Sequence, residues 1–241
     1  MKLIIKNQEP QTFIDWKTTM QDTFERYYEE GKTGDELYSL LLSSRPKNPE
    51  EGILYFTKED LRLPLLDEQG FICCYCNQRI LNNHLTILEH CQDKSTHPRL
   101  TFSYANLLAS CNGNQKDPKP RALHCDAEKS DKSIPLTPLD GMCEVQLYFL
   151  ADGQIKAHGE EGEETIKKLN LNMGKLVKLR SEAIEGWLFL NTDLTDLIDV
   201  ETARLTLEQI EKRDANNHFI EFQSAVQSVL SREILNQKLE L

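Results

Sequence analysis

The chain has 241 residues, enough for one domain with a substantial core or for two small ones. Its 39% hydrophobic and 28% charged content fits an ordinary globular protein, and no apolar run approaches the roughly 18 residues of a membrane span. The formal net charge of −11, taken alone, argues against a nucleic-acid binder.

The first residues, Met1-Lys-Leu-Ile-Ile-Lys6, turn polar too soon for a secretory signal, so a cytoplasmic protein without membrane association is expected. Phe13, Trp16, Met20, Phe24 and Tyr27 recur at spacings of three and four, which predicts an amphipathic helix ending near Gly31 to Gly34. A second helix is expected over Asp35 to Ser43, with Asp35 as its cap. Arg45-Pro-Lys-Asn-Pro49 reads as a loop. A third short helix is expected over Lys58 to Gln69, with Pro64 inside it. These aromatic stripes are assigned to core, and residues 1–70 to an N-terminal helical segment.

From Phe71 to Ser133 the chain becomes punctuated and rich in Cys, His, Asn and Lys. Leu85 to Glu89 reads as a short strand. Pro98, Pro118 and Pro120 exclude regular structure around them. Asp126 to Lys132 can begin a helix, with acidic residues in the first turn where the helix dipole favours them. Seven basic residues (Lys94, Arg99, Lys116, Lys119, Arg121, Lys129, Lys132) face five acidic ones (Asp93, Asp117, Asp126, Glu128, Asp131) between His90 and Ser133. That stretch is therefore +2 and the remainder −13. Exposed charges more than about 8 to 10 Å away are largely screened, so a locally basic segment of an acidic protein can still contact phosphates. A solvated loop that happens to hold lysines is the plain alternative.

Further on, Glu144 to Leu150 alternates as a strand through Val145, Leu147 and Phe149, and Asp152-Gly153 marks a turn. The acidic run Glu160 to Glu164 starts a helix, and Ile166, Leu169, Leu176, Leu179, Ala183, Ile184 and Trp187 keep helical spacing. Thr202 to Leu241 reads as another long helical stretch, with Leu205, Ile210, Phe219, Phe222, Val226, Val229 and Leu230 apolar. These C-terminal helices either complete one core with the N-terminal ones or present a stripe to a partner.

Seven cysteines in a cytoplasmic chain point to metal binding more than to disulfides. Cys73-x-x-Cys76, then 34 residues, then Cys111, then 13 residues, then Cys125 is a set that can close a tetrahedral zinc site. The second knuckle is stretched, and His124 is an alternative to Cys125 as fourth ligand. Cys74 is out of register inside the first knuckle, and Cys91 and Cys143 are expected to be small buried residues. A redox role for the C-x-x-C lacks a surrounding βαβ pattern.

Ile87-Leu-Glu-His90 lies between the two cysteine pairs. A histidine at a strand end can act as a general base near neutral pH, and a carboxylate beside it can hold a divalent metal that polarises a phosphate. Neighbouring residues on a regular strand point to opposite faces, so both serve one site only if the strand ends or kinks there. Otherwise they are two polar residues of a surface strand.

The string from the C-x-x-C through Ile87-Leu-Glu-His90, Tyr104-Ala-Asn-Leu-Leu-Ala-Ser-Cys111-Asn-Gly and His124-Cys-Asp-Ala-Glu-Lys129 resembles HNH endonucleases. More narrowly, it resembles the PtuB-type HNH nucleases of Septu anti-phage systems, including retron-linked versions. Phe149-Leu-Ala-Asp-Gly153, Thr165-Ile-Lys-Lys-Leu-Asn-Leu-Asn172 and Arg180 extend the likeness, which covers about residues 60 to 190.

The resemblance implies an α+β fold, mostly helical, around a small zinc-clipped ββα-metal (HNH, His-Me finger) core at 71–140, with a short hairpin and C-terminal helices at 141–241. It implies that His90 is the base activating water, that Glu89 is a metal ligand, and that Asn106 ties the intervening loop to the strand carrying the base. Asp126 would be the second metal ligand and Lys129 a lysine near a phosphate. Asp126 stands where many relatives have His or Asn. Two carboxylates favour a hard ion such as Mg²⁺ or Mn²⁺. Cys73, Cys76, Cys111 and Cys125 would hold structural Zn²⁺. The implied substrate is nucleic acid, DNA or RNA, and the implied partner is an ATPase of PtuA type, joined in retron-linked systems by a reverse transcriptase and its nucleic acid. The competing readings are a non-catalytic zinc-stabilised interaction module and a cysteine redox protein.

Overall fold

Aromatic packing organises the N-terminal half. In the computed structural model, which describes residues 1–43, 56–114, 122–130 and 132–239, helix α1 (Gln11–Glu29) buries Phe13, Trp16 and Phe24 on one face. Their rings meet Phe56 (4.8 Å from Phe13) and Phe102 (5.0 Å from both Trp16 and Phe24). Phe102 belongs to the loop that joins the first two strands, so α1 buttresses that loop. Helix α2 (Gly34–Ser43) is capped by Thr33 and not by Asp35. Thr33 and Glu36 exchange side-chain bonds with each other's backbone N–H groups at 3.2 and 2.8 Å. Three residues separate a capping pair, and Asp35 lies two residues past the cap, inside the first turn.

Helix α3 (Lys58–Gln69) starts on a second reciprocal cap, Thr57 with Asp60, and keeps Pro64 inside. It buries Leu61, Leu65 and Leu66 against the first sheet. That sheet is β1 (Thr86–His90) antiparallel to β2 (Leu107–Cys111), with Glu89 opposite Leu108 and His90 opposite Leu107. The Gln69 carboxamide docks α3 onto β2: it donates to Ala109 O (2.8 Å) and accepts from Ala109 N (2.7 Å). Pro98 sits at the start of a single 3-10 turn, Pro98–Leu100. The loop expected at Arg45 to Pro49, and Lys116, Asp117, Pro118, Lys119, Pro120, Arg121 and Asp131, lie outside the described residues.

Helix α4 (Asp126–Lys129) is shorter than expected, because Ser130 turns into the left-handed region at φ 50°. The strand expected from Glu144 is helical in its first part: α5 (Met142–Gln146) precedes β3 (Leu147–Phe149), which pairs with β4 (Ile155–Ala157). The Asp140 carboxylate accepts from Met142 N at 2.9 Å and starts that helix, and Val145 faces solvent. Helices α6 (Glu160–Lys168) and α7 (Gly174–Leu188) follow.

The long helix expected from Thr202 is broken into α8 (Val200–Ile210) and α9 (Gln223–Leu239). The Asp214 carboxylate takes the backbone N–H groups of Asn216 and His218, a turn that competes with helix. The intervening segment returns to the cysteine knuckle, where Phe222 N donates to Asn77 O (2.8 Å) and Phe219 N to Gly70 O (3.0 Å).

The fold is thus α+β with two small antiparallel sheets, and one continuous buried cluster runs from Met1 to Leu230. Phe222, Val226, Val229 and Leu230 lie in that cluster, so this part of the C-terminal stripe closes the protein's own core. Leu205 is 59% exposed and does not belong to it. Among the described residues no helix is long and apolar enough to cross a membrane.

Gly34 is where α2 touches the loop after β1: a Cβ there would lie 2.1 Å from Lys94 O. A Gly→Ala change near a helix start is ordinarily neutral to stabilising. Here overpacking reverses the sign, and Gly34→Ala is expected to destabilise by about 1 to 3 kcal/mol in urea denaturation.

Candidate metal centre and active site

Four thiols converge where the knuckle, the end of β2 and the start of α4 meet. The Sγ atoms of Cys73, Cys76, Cys111 and Cys125 all lie within 4.8 Å of one another, and all four side chains are buried. Cys76 and Cys111 are 3.9 Å apart. A tetrahedral ion with metal–sulfur bonds of about 2.3 Å needs S···S edges of about 3.8 Å, so the set fits zinc. The seven cysteines are all free, and Cys74, Cys91 and Cys143 are buried outside this set. The four sulfurs complete a ligand set by themselves, with His124 Nδ1 beside it at 3.1 Å from Cys125 Sγ and 3.9 Å from Cys111 Sγ.

The backbone around the thiols is tightly set. Cys125 holds φ 54°, with its N–H donated to Leu169 O (2.9 Å). Gly113 lets the stretched second knuckle close, since a Cβ there would lie 2.0 Å from His124 O. Arg180 of α7 is 1% exposed and pairs with no carboxylate among the described residues; its guanidinium donates to Gly153 O (2.6 Å) and to Leu171 O. Burial lowers it to about 10, and the sulfurs of Cys76 and Cys125 act in the opposite sense. A divalent ion on four thiolates leaves a net −2, and Arg180 supplies a buried positive charge toward it.

Asp126 follows Cys125 directly, so the thiol cluster places α4 beside β1. Glu89 and Asp126 share a hydrogen bond. Lys129 Nζ lies 2.7 Å from Glu89 Oε1 and donates to His90 O at 2.8 Å, and Tyr75 from within the knuckle donates to the same Glu89 oxygen at 2.7 Å. Burial works to raise Glu89. The bond with Asp126, the Lys129 ammonium and the Tyr75 hydroxyl outweigh it and hold Glu89 below the usual carboxylate range. Burial, then the bond and charge of Glu89, push Asp126 up to about 9. The two carboxyls, Glu89 buried and Asp126 partly buried, form a donor set that suits a divalent cation.

His90 is the last residue of β1, so the strand ends where both side chains are needed. Its Nε2 is 3.0 Å from Thr101 O. A carbonyl only accepts, so Nε2 carries the proton and Nδ1 the lone pair. Burial pulls His90 down to about 4, which keeps the ring neutral at pH 7. Asn106 fixes the loop that brings Thr101 into place: its amide accepts from Gln92 N (2.7 Å) and donates to Gln92 O (2.9 Å) and Leu100 O (3.2 Å).

Glu89, His90, Asp126 and Lys129 line one cavity of about 390 Å³, together with Tyr38 and Arg62. The residues singled out in the sequence thus meet in two adjoining clusters. Lys129 lies buried against Glu89, at 1% exposure. Tyr75, Thr101, Tyr38 and Arg62 carried no sequence signal. Tyr75 was visible only as a residue between two cysteines, and the other three come from segments read as core or loop.

Metal analysis is expected to find about one equivalent of tightly bound zinc. Cys76→Ser should lose it and destabilise the protein by several kcal/mol, because a structural site contributes folding free energy directly. A variant that folds normally and keeps its zinc would refute the assignment. No protein-family model matches the chain and no curated protein matches it, so function is argued from these residues.

Proposed function

We propose that the chain is a metal-dependent endonuclease of the HNH, ββα-metal type, hydrolysing phosphodiester bonds in DNA or RNA. The observation that carries the reading is the convergence of Glu89, His90 and Asp126 in one pocket beside a buried four-cysteine cluster. A docking module stabilised by zinc has no need of such a constellation.

Each residue then has a task. His90 Nδ1 takes the proton of the attacking water, with Thr101 O holding the tautomer that leaves this nitrogen free. Asn106 positions the loop that carries Thr101. Glu89 and Asp126 would hold Mg²⁺ or Mn²⁺, and Lys129 keeps Glu89 ionised beneath it. When bound, that ion supplies charge stabilisation at the phosphate and at the leaving oxygen. Zinc on the four cysteines would be structural.

The motif resemblance adds a setting: the effector subunit of an anti-phage complex with an ATPase of PtuA type, in retron-linked systems with a reverse transcriptase and its nucleic acid. Charge supports dependence on a partner. The −13 outside the His90–Ser133 stretch repels nucleic acid and slows association, and a basic partner surface would cover it.

The test is co-expression with genomic neighbours, wild type against His90→Ala, followed by an assay of nucleic-acid integrity. Loss of the base should reduce cleavage by about 10²- to 10⁴-fold while fold and zinc content stay intact. Undiminished toxicity or phage defence in that variant would leave the zinc-stabilised interaction module as the better reading.

A further inference from the structure

The wall of the pocket opposite the carboxylates comes from a part of the chain that sequence reading assigned only to core. Tyr38 of α2 stands at its centre. Its ring meets the His90 ring edge-on at 5.3 Å between centroids. Lys58 Nζ lies 4.5 Å from the same ring and Lys94 Nζ 5.7 Å from it, so the two ammoniums are within about 10 Å of each other. Arg62, one turn beyond Lys58 on α3, is 6% exposed and donates through Nε to Thr86 O (3.3 Å). All three cations line the cavity that holds His90.

Of the carboxylates around them, Glu89 and Asp93 are held by other donors, Asp126 lines the same cavity, and Asp35 and Glu59 pair with Lys94 and Arg62. Lys129 and Tyr75 take Glu89. Asp93 receives Ser95 Oγ, Thr96 N and Thr96 Oγ1 at 2.7 to 2.8 Å. Asp35 pairs with Lys94 at 3.0 Å from its own exposed position on α2, and Glu59 Oε1 lies 3.7 Å from an outer nitrogen of Arg62. Among the described residues Lys58 makes no ion pair. Burial lowers its ammonium from the ordinary value, and the like charges of Arg62 and Lys94 lower it further against the pull of Glu59. Three cations gathered on one wall repel one another, and an anion between them relieves that repulsion.

We propose that Lys58 and Lys94 grip the sugar–phosphate backbone of the nucleic acid beside His90, with Tyr38 as the spacer between them and Arg62 as a fixed positive charge behind. The proposal rests on the nuclease reading above and gives the N-terminal helices a part in substrate binding. The phosphate grip is then built from helices of the acidic body together with Lys94, and does not depend on the basic stretch beyond Asn114. The Asp35–Lys94 pair and the Gly34 contact hold α2 at the distance that keeps Tyr38 between the two ammoniums.

Fluorescence anisotropy with short labelled single-stranded and duplex oligonucleotides, DNA and RNA, tests it on the full chain carrying His90→Ala to prevent cleavage. In that background Lys58→Gln and Lys94→Gln should each weaken binding about three- to tenfold and lower the slope of log affinity against log salt by about 0.7 to 0.9. Lys58→Arg should restore both. Melting temperature and zinc content check that each variant is folded. A folded double variant that binds with the parent's affinity and salt slope would overturn the proposal, as would a parent that binds no oligonucleotide. Cleavage by the His90-containing chain, co-expressed with its genomic neighbours, is scored separately. If it cuts while the Lys58 and Lys94 variants bind as the parent does, the grip fails and the nuclease stands. If binding depends on Lys58 but nothing is cut, the nuclease reading fails and the grip stands.

Discussion

The arrangement of the pocket depends on four sulfurs brought within bonding reach of a single ion. Without a cation, four buried thiols are weak partners for one another. With one, the knuckle at Cys73 and Cys76, the end of β2 at Cys111 and the start of α4 at Cys125 become a single joint. The backbone carries the mark of that constraint, since Cys125 holds a left-handed φ of 54° that a non-glycine residue adopts only when its surroundings impose it. Asp126 and Lys129 follow within one helical turn, so the joint sets where the Asp126 carboxyl and the buried ammonium lie.

Around that joint the electrostatics are layered. Glu89, Asp126, Lys129 and Tyr75 form a buried polar network in which each charge meets an opposite charge or a hydrogen bond. Arg180 stands on the other side of the thiol cluster and reaches it from α7. The C-terminal helices therefore do more than cover the core: they bring a positive charge toward sulfurs that come from the other half of the chain. The same polar network holds Lys129 buried against Glu89 and away from the open part of the pocket.

Burial of His90 has a chemical consequence as well as a structural one. A neutral imidazole with Nε2 donated to Thr101 O is oriented without any carboxylate behind it. Its position traces back through Thr101 and Phe102 to the aromatic cluster on α1, and through Asn106 to the start of β2. Packing at the far end of the N-terminal helix thus reaches the ring nitrogen that would take a proton.

The sequence by itself determined the local pieces: α1 from its aromatic spacing, α3 in spite of Pro64, a strand ending at Glu89-His90, the turn at Gly153, and the four cysteines as candidate ligands. Each of these is written in residue type and short-range spacing. Other features were decided only by tertiary structure. Cys125 meets the other three sulfurs because the second knuckle folds with Gly113 close against His124 O, a contact between segments that spacing cannot express. The break between α8 and α9 depends on Asp214 turning the chain so that Phe219 and Phe222 reach Gly70 and Asn77, far away in sequence. Tyr38, Lys58 and Arg62 read as ordinary helix residues until α2 and α3 fold over β1 and make them a wall of the pocket. Periodicity tells which face of a helix is apolar; which cavity its polar residues line depends on long-range packing that no local pattern encodes.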